Sequence, residues 1–249
     1  MTATKPRVIP FIGMEVDYKL AVAIESNVSF PIKTTANWNV TWEQYNLSSP
    51  EIFIANLTVQ SPFLLTYTEL EYETGTIIEN INTREVLFVN VTKTIFLKQV
   101  YAIYYNPNQT NFTPFYINTT GLQINDRANI YNFTMSVVSA EEILLVGIGF
   151  KDIIIVEYKT KLAHIEHFVR LTYDNRTGVL IGGRLRTHRT QNKTSTSYDI
   201  EFFLQNTNAL AKQPVIIKSN EILIFIICCI PVVTSLVKIF RMKEIKGGL

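Results

Sequence analysis

Residues 37–42 read NWNVTW and alternate polar with apolar side chains at every position. Successive side chains of a β-strand point to opposite faces, so this period places both tryptophans and the valine on one face. The asparagines and the threonine lie on the other face. The stretch therefore predicts a strand with one buried and one exposed face.

The same alternation recurs along the chain, in the segments 52–60, 84–92, 129–138 and 197–206. Two further runs, EILLVGIG (142–149) and DIIIVEY (152–158), are continuously apolar, which is typical of central strands buried on both faces. The segment SAEE (139–142), at the start of the first run, is expected to make one helical turn. Short strands separated by Asn, Gly and Pro predict a mainly β fold over residues 1–205. It is either an antiparallel curved sheet, in the manner of a half-barrel, or a β-sandwich.

Two similar motifs mark expected turns, YETGTII (72–78) and YDNRTGVLI (173–181). Both read as strand, polar turn, Thr-Gly and strand. The glycine supplies the positive φ that a hairpin bend needs. We interpret both motifs as hairpins with no role in ligand binding.

The segment 222–237 reads ILIFIICCIPVVTSLV and contains no charge. With Ile239 and Phe240 it approaches the roughly 20 apolar residues that span a bilayer as a helix. A buried helix of a soluble domain is the alternative, but such a helix is rarely apolar on every face. We predict a linker over 206–221, a transmembrane helix over 222–240 and a basic cytoplasmic tail over 241–249. Lys and Arg in that tail place the preceding body outside the cell.

Eleven Asn-x-Ser/Thr triplets, the acceptor motif for N-glycosylation, precede the apolar segment, where composition alone gives about three. Asn111 is crowded by Asn108 and followed by Thr113-Pro114, so we expect it to stay bare. The ten sites expected to carry glycans are Asn27, Asn39, Asn46, Asn56, Asn90, Asn108, Asn118, Asn132, Asn175 and Asn192. The triplets and the basic tail therefore agree on a cell-membrane protein whose body is outside.

The first twenty residues carry no recognisable secretion signal, because their longest uncharged run is short and contains Pro10 and Gly13. Three explanations remain open. A signal has been removed, the true start lies upstream, or the chain is tail-anchored with its body in the cytosol. The third explanation would leave every glycosylation motif unused.

The motif HIEHF is the one cluster of metal-ligand types in the body. Pairing of Tyr173 with Val179 across the predicted turn would set the register of its strand. His164 would then face His188, and Glu166 would face an arginine. This arrangement is either a metal site or, more simply, an exposed polar face with a weak ion pair. We expect no metal there, because a slip of one residue abolishes the site.

The sequence contains no motif for nucleotide binding, nucleophilic catalysis or calcium binding. A net charge of +2 and the lack of a basic stripe in the body argue against nucleic acid. We expect no cofactor and no enzymatic activity. The expected partners are the membrane and surface proteins, glycans or a lipid.

Four strings together resemble a known layout: FYINTTGLQINDRANI, YNFTMSVV, LTYDNRTGVLIGG and YDIEFFLQNTN, followed by a terminal membrane helix. This layout is similar to that of C-terminally anchored, β-rich surface proteins of archaea, the Asgard lineages especially. The resemblance covers roughly residues 110 to 240. It implies a strongly curved antiparallel sheet, like that of half-barrel lipoprotein carriers, and it transfers no functional residue.

The preferred interpretation is a single-pass, glycosylated surface protein with a binding, adhesion or envelope role. A first alternative is a module that binds a lipid or another apolar ligand on the concave face of the sheet. It predicts an apolar groove lined by Trp38, Trp42 and Phe88. A second alternative is an exported hydrolase, which predicts a cleft with converging carboxylates and shifted pKa values.

Overall fold

The computed structural model describes residues 10–28, 32–46, 48–61, 71–91, 108–145, 148–191 and 194–210. All of them belong to one unit, Met1–Lys212. A helix long and apolar enough to cross a membrane does not occur in these ranges. The expected span over 222–240, its tail and most of the linker lie outside them.

Within these ranges, eleven antiparallel strands form one open sheet in the order β5-β4-β3-β2-β1-β11-β10-β9-β8-β7-β6. The strands are β1 (Glu15–Ser26), β2 (Ile32–Asn46), β3 (Ser49–Ser61), β4 (Glu71–Asn80), β5 (Val86–Val91), β6 (Arg127–Ile130), β7 (Phe133–Leu145), β8 (Gly149–Leu162), β9 (Ile165–Asp174), β10 (Leu180–Gln191) and β11 (Thr194–Thr207). Two meanders, β1–β5 and β6–β11, are thus joined by the pairing of β1 with β11. The mainly β, antiparallel prediction is confirmed, and the curved sheet replaces the sandwich alternative.

Most of the predicted strands are present. EILLVGIG is not one buried central strand, because β7 ends at Leu145, β8 begins at Gly149 and Leu144 is exposed. The tryptophans of NWNVTW are buried on β2, as the alternation predicts, and DIIIVEY forms β8 with residues 153–156 buried on both faces. The helical turn at SAEE was wrong, because residues 139–142 pair with β8 inside β7. The segment 129–138 is not one strand, since a turn at Tyr131 and Asn132 separates β6 from β7.

Only one of the two turn motifs is a turn. In the second, Gly178 has a φ of +78° between β9 and β10, as a left-handed turn residue should. The prediction for YETGTII was wrong. Gly75 is buried inside β4, where it pairs with Leu57 of β3 and Val91 of β5. Pairing on both sides holds that motif extended, so Thr-Gly alone does not specify a bend.

The concave face of the sheet is filled by aromatic side chains. Tyr18, Trp38 and Phe202 lie on β1, β2 and β11, and their ring centroids are 5.3–5.8 Å apart. Phe115 packs 5.4 Å from both Trp38 and Trp42. Rings at such separations, tilted or edge-on, form favourable aromatic contacts. This interior is therefore a packed core among the described residues.

Phe115 belongs to residues 111–117, which we call the inserted segment. Phe112 forms bridges with Glu85, beside the edge strand β5, and with Tyr131, beside the edge strand β6. The backbone amide of Phe112 donates to the oxygen of Tyr131 at 2.7 Å. One residue therefore reaches both edges of the sheet, and the sheet must curve until those edges approach each other.

Two buried side chains of the interior hold the inserted segment. Tyr173 donates from its hydroxyl to the oxygen of Pro114 at 2.7 Å. Glu79 of β4 accepts at Oε1 from Trp42 Nε1 at 2.7 Å and from the Tyr116 hydroxyl at 3.2 Å. Burial raises the pKa of Glu79, and its hydrogen bonds offset this only in part. Its Oε2 atom has no hydrogen-bond partner.

Candidate functional site

The glycosylation motifs occupy varied positions in the described structure. Asn27, Asn90, Asn108 and Asn118 are exposed. The side chains of Asn39, Asn56, Asn132 and Asn175 are partly buried, and Asn111, which we expect to stay bare, is buried. Asn192 and the side chain of Asn46 lie outside the description. Exposure of an asparagine permits glycosylation without demonstrating it, so occupancy stays a prediction.

The HIEHF hypothesis rested on the wrong register. Val179 bridges Tyr116 of the inserted segment, and Tyr173 pairs with Leu180 instead. A bulge between Leu180 and Gly182 adds a further residue, so His188 faces Glu166. His164 lies in the β8–β9 turn. No cluster of His, Cys, Asp or Glu suited to a metal occurs in the described ranges.

The apolar groove expected from Trp38, Trp42 and Phe88 is not formed by these residues. Both tryptophans are buried beneath Phe115. Phe88 is half exposed and pairs with Ile78, whose neighbour Ile77 faces the interior. Phe88 therefore lies on the other face of the sheet, because side chains alternate along a strand.

A hollow of about 770 Å³ lies on the face opposite the aromatic interior. On β11, Asp199 lines this hollow, whereas its neighbour Ile200 is buried in the core. A second hollow of about 420 Å³ adjoins it and shares Lys33, Arg184 and Asp199. A strongly twisted sheet is saddle-shaped, so a face that is convex across the strands can be hollow along them. We call the two together the outer hollow.

Arg184, Arg186 and Asp199 form a preorganised cluster in the outer hollow. Arg184 binds Asp199 through Nε at 2.8 Å and through Nη2 at 2.6 Å, in a bidentate pair. Arg186 donates to the same carboxylate from Nε at 3.0 Å and from Nη2 at 2.7 Å. Three of these donors reach Oδ2 of Asp199 and one reaches Oδ1, so both carboxylate oxygens are engaged. Asp199 thereby orients both arginines.

The pKa of Asp199 follows from these contacts. Partial burial alone would raise it, but hydrogen bonds and charge from Arg184 and Arg186 outweigh burial and lower it. The pKa of Arg184 is raised, chiefly by its hydrogen bonds with Asp199. Asp199 and Arg184 are therefore both charged over the whole physiological range. The cluster presents fixed charges to a ligand rather than a proton to transfer.

Strand register places the lining residues in two rows. The first, which we call the basic row, crosses six neighbouring strands in the order Lys33, Ala23, Asp199, Arg186, Phe168 and Lys159. At the usual spacing between strands it is about 24 Å long. The second, which we call the acidic row, lies two residues further along the strands and contains Glu25, Ser197, His188 and Glu166.

This site was not predicted from the sequence, although the pattern of charges in two neighbouring strands pointed to it. Charged residues alternate in RLRTH (184–188) and in DIE (199–201), with opposite signs in the two segments. Such a pattern indicates facing charged sides of a hairpin. Lys33 and Lys159 could not be added, because their place depends on the register of four further strand pairs.

No protein-family model matches the chain, and no curated protein does. Among solved structures, a LolA superfamily protein from Nitrosomonas europaea shows 11% identity and a TM-score of 0.23, over 80% of this chain and 89% of that one. A putative AttH from the same organism shows 8% identity and a TM-score of 0.19, over 78% of this chain and 52% of that one. Likeness this distant carries no argument about the ligand.

Proposed function

We propose that this chain is a binding protein displayed on the cell surface, and that the outer hollow is its ligand-contact surface. The observation that carries the proposal is the Arg184–Asp199–Arg186 cluster set within a hollow of about 770 Å³. Charges that are already oriented lose little freedom on binding, so more of the contact energy remains as affinity.

The lining suits a polar ligand. Four permanent cations and three carboxylates line the larger hollow, with Ala23 and Phe168 between them. The Nη1 group of Arg186 has no hydrogen-bond partner within the described ranges. Among those ranges, Lys33 and Glu25 form no ion pair. These groups are available to a ligand without breaking an existing contact.

The apolar-ligand alternative has less support from the described interior. A lipid chain on the concave face would have to displace Phe115 from Trp38 and Trp42, and Tyr173 and Tyr116 anchor the same segment. Displacing a packed aromatic side chain costs about 3–5 kcal/mol by analogy with its truncation. We therefore place the ligand on the opposite face.

The distribution of glycosylation motifs is consistent with surface display. Among the motif asparagines that the structure describes, none lines the outer hollow. Asn56 and Asn90 lie in one row with Thr76 on the same face, over β3–β5. Glycans there would leave the charged half of the face open. Anchoring through 222–240, glycosylation and a non-catalytic role are all part of this proposal.

Isothermal titration of the full chain in nonionic detergent tests the binding function. The panel is a neutral oligosaccharide, a Glu-rich peptide, a Lys-rich peptide and palmitate. We expect a polar member to bind, and Arg186→Gln to weaken it about tenfold. Arg189→Gln is the matched control, because Arg189 is exposed on the same strand but on the other face. Binding of palmitate alone, or of no member, would contradict the proposal.

A further inference from the structure

The charges of the outer hollow are segregated by sign. In the basic row, the hollow is lined by three cations, Lys33, Arg186 and Lys159, and by one carboxylate, Asp199. In the acidic row, the carboxylates that line the hollow are Glu25 and Glu166, and His188 faces Glu166. Lys161 of β8 continues this row on the other side of Glu166, but it does not line the hollow. Arg184 stands on the far side of the basic row and is paired with Glu201 at 3.0 Å. Within the hollow, a row with an excess of positive charge therefore lies beside a row whose lining residues include two carboxylates.

The separation of the two rows is fixed by the sheet. Their members are two residues apart on each strand, which corresponds to about 7 Å. Glu25 is two residues from Ala23, and Glu166 is two residues from Phe168. A ligand lying along the strands therefore meets both signs within that distance.

We propose that the outer hollow binds an amino-acid-type zwitterion, whose carboxylate contacts Arg186 and whose ammonium group contacts Glu166 or Glu25. This inference rests on the proposed function and names its ligand class. The Nε and Nη2 atoms of Arg186 donate to Asp199, and its Nη1 group can donate a charge-assisted hydrogen bond to a ligand carboxylate. Phe168 lies between Arg186 and Lys159 in the basic row and offers an apolar floor for the carbon chain that joins the two charges.

A simple anion or a simple cation fits this lining less well. An anion at Arg186 would lie near both the Asp199 carboxylate and the acidic row, and like charges at such distances repel. A cation at the acidic row would face Lys159, which already contacts Glu166 at 3.9 Å. That pair is exposed and therefore weak, so a ligand ammonium group can replace the lysine at little cost. A zwitterion satisfies both rows at once.

Titration with three probes of equal chain length tests this inference. They are ε-aminocaproate, which carries both charges, caproate, which carries the negative charge, and hexylamine, which carries the positive charge. We expect the full chain in nonionic detergent to bind ε-aminocaproate at least about tenfold more tightly than either of the others.

Variants assign each end of the probe. Arg186→Gln should remove the advantage of ε-aminocaproate over hexylamine, and the double change Glu25→Gln with Glu166→Gln should remove its advantage over caproate. Arg189→Gln and Glu43→Gln are matched exposed controls outside the hollow and should change neither ratio.

Equal affinity for caproate and ε-aminocaproate would overturn the inference, as would failure of all three probes to bind. In either case, binding of another polar compound that Arg186→Gln weakens would leave the proposed function standing. If ε-aminocaproate shows no advantage and no other polar compound binds in a way that Arg186→Gln weakens, the proposed function is overturned as well. Circular dichroism of each variant separates a lost contact from a lost fold.

Discussion

Glu79 offers the sharpest test of how the inserted segment is held. Its carboxyl is fully buried, and burial raises its pKa. The native state therefore binds this proton more tightly than the unfolded chain does. Stability from the group is complete below the ordinary glutamate pKa of about 4.3 and is lost as the pH rises through the raised native pKa.

Two substitutions separate charge from hydrogen bonding. Glu79→Gln keeps an acceptor for Trp42 and Tyr116 and, like the protonated acid, places a donor at the unpartnered Oε2 site. It should match the wild type at acid pH and become more stable than the wild type as the pH rises, by at most about 1.4 kcal/mol per pH unit. Glu79→Ala leaves the donors of Trp42 and Tyr116 without an acceptor, so at any pH it should be roughly 2–6 kcal/mol less stable than the equally uncharged Glu79→Gln.

Urea unfolding of the full chain in nonionic detergent, followed by fluorescence, measures both effects. The chain has two tryptophans, and both are buried in the aromatic interior, so their emission reports its opening. The reasoning fails if the stability difference between Glu79→Gln and wild type stays constant from acid to neutral pH. It also fails if Glu79→Ala is less than about 1 kcal/mol less stable than Glu79→Gln.

Three further predictions concern the turn, the interior and the glycans. Gly178→Ala places a Cβ 1.9 Å from a backbone oxygen of the inserted segment at a φ of +78°, so it should lower the melting temperature far more than Gly121→Ala, which has a φ of +77° and open space. Tyr173→Phe removes a buried hydrogen bond and should cost about 1–2 kcal/mol in urea unfolding. Glycopeptide mass spectrometry of protein from its native cells should find Asn118 modified and Asn111 bare, and a body without any glycan would contradict surface display.

The faces of individual strands could be predicted from the sequence. Alternation around Trp38 and Trp42 assigns their side chains to the core, and the apolar run at 153–156 indicates burial on both faces. These predictions succeed because each depends only on the period of one strand. The predicted helical turn at SAEE (139–142) was wrong because its structure depends on pairing with another strand. Its residues pair with the neighbouring strand β8, and that tertiary pairing overrides a local helical preference.

The candidate site required information that no single segment holds. The basic row depends on five consecutive strand pairings, and a shift in any one of them separates Lys33 from Lys159. The contact of Val179 with Tyr116 shows how a distant segment moves a register. Together with the bulge between Leu180 and Gly182, it moves His188 from the expected position opposite His164 to one opposite Glu166, in the acidic row.

Methyl NMR of the full chain, labelled at alanine and titrated with ε-aminocaproate and separately with palmitate, tests the central claim most directly. Ala21 and Ala23 line the outer hollow, whereas Ala36 and Ala55 are buried in the aromatic interior. The account predicts that ε-aminocaproate shifts the methyl signals of Ala21 and Ala23 and leaves Ala36 and Ala55 in place. Shifts of Ala36 and Ala55 with palmitate, while Ala21 and Ala23 respond to neither compound, would contradict it.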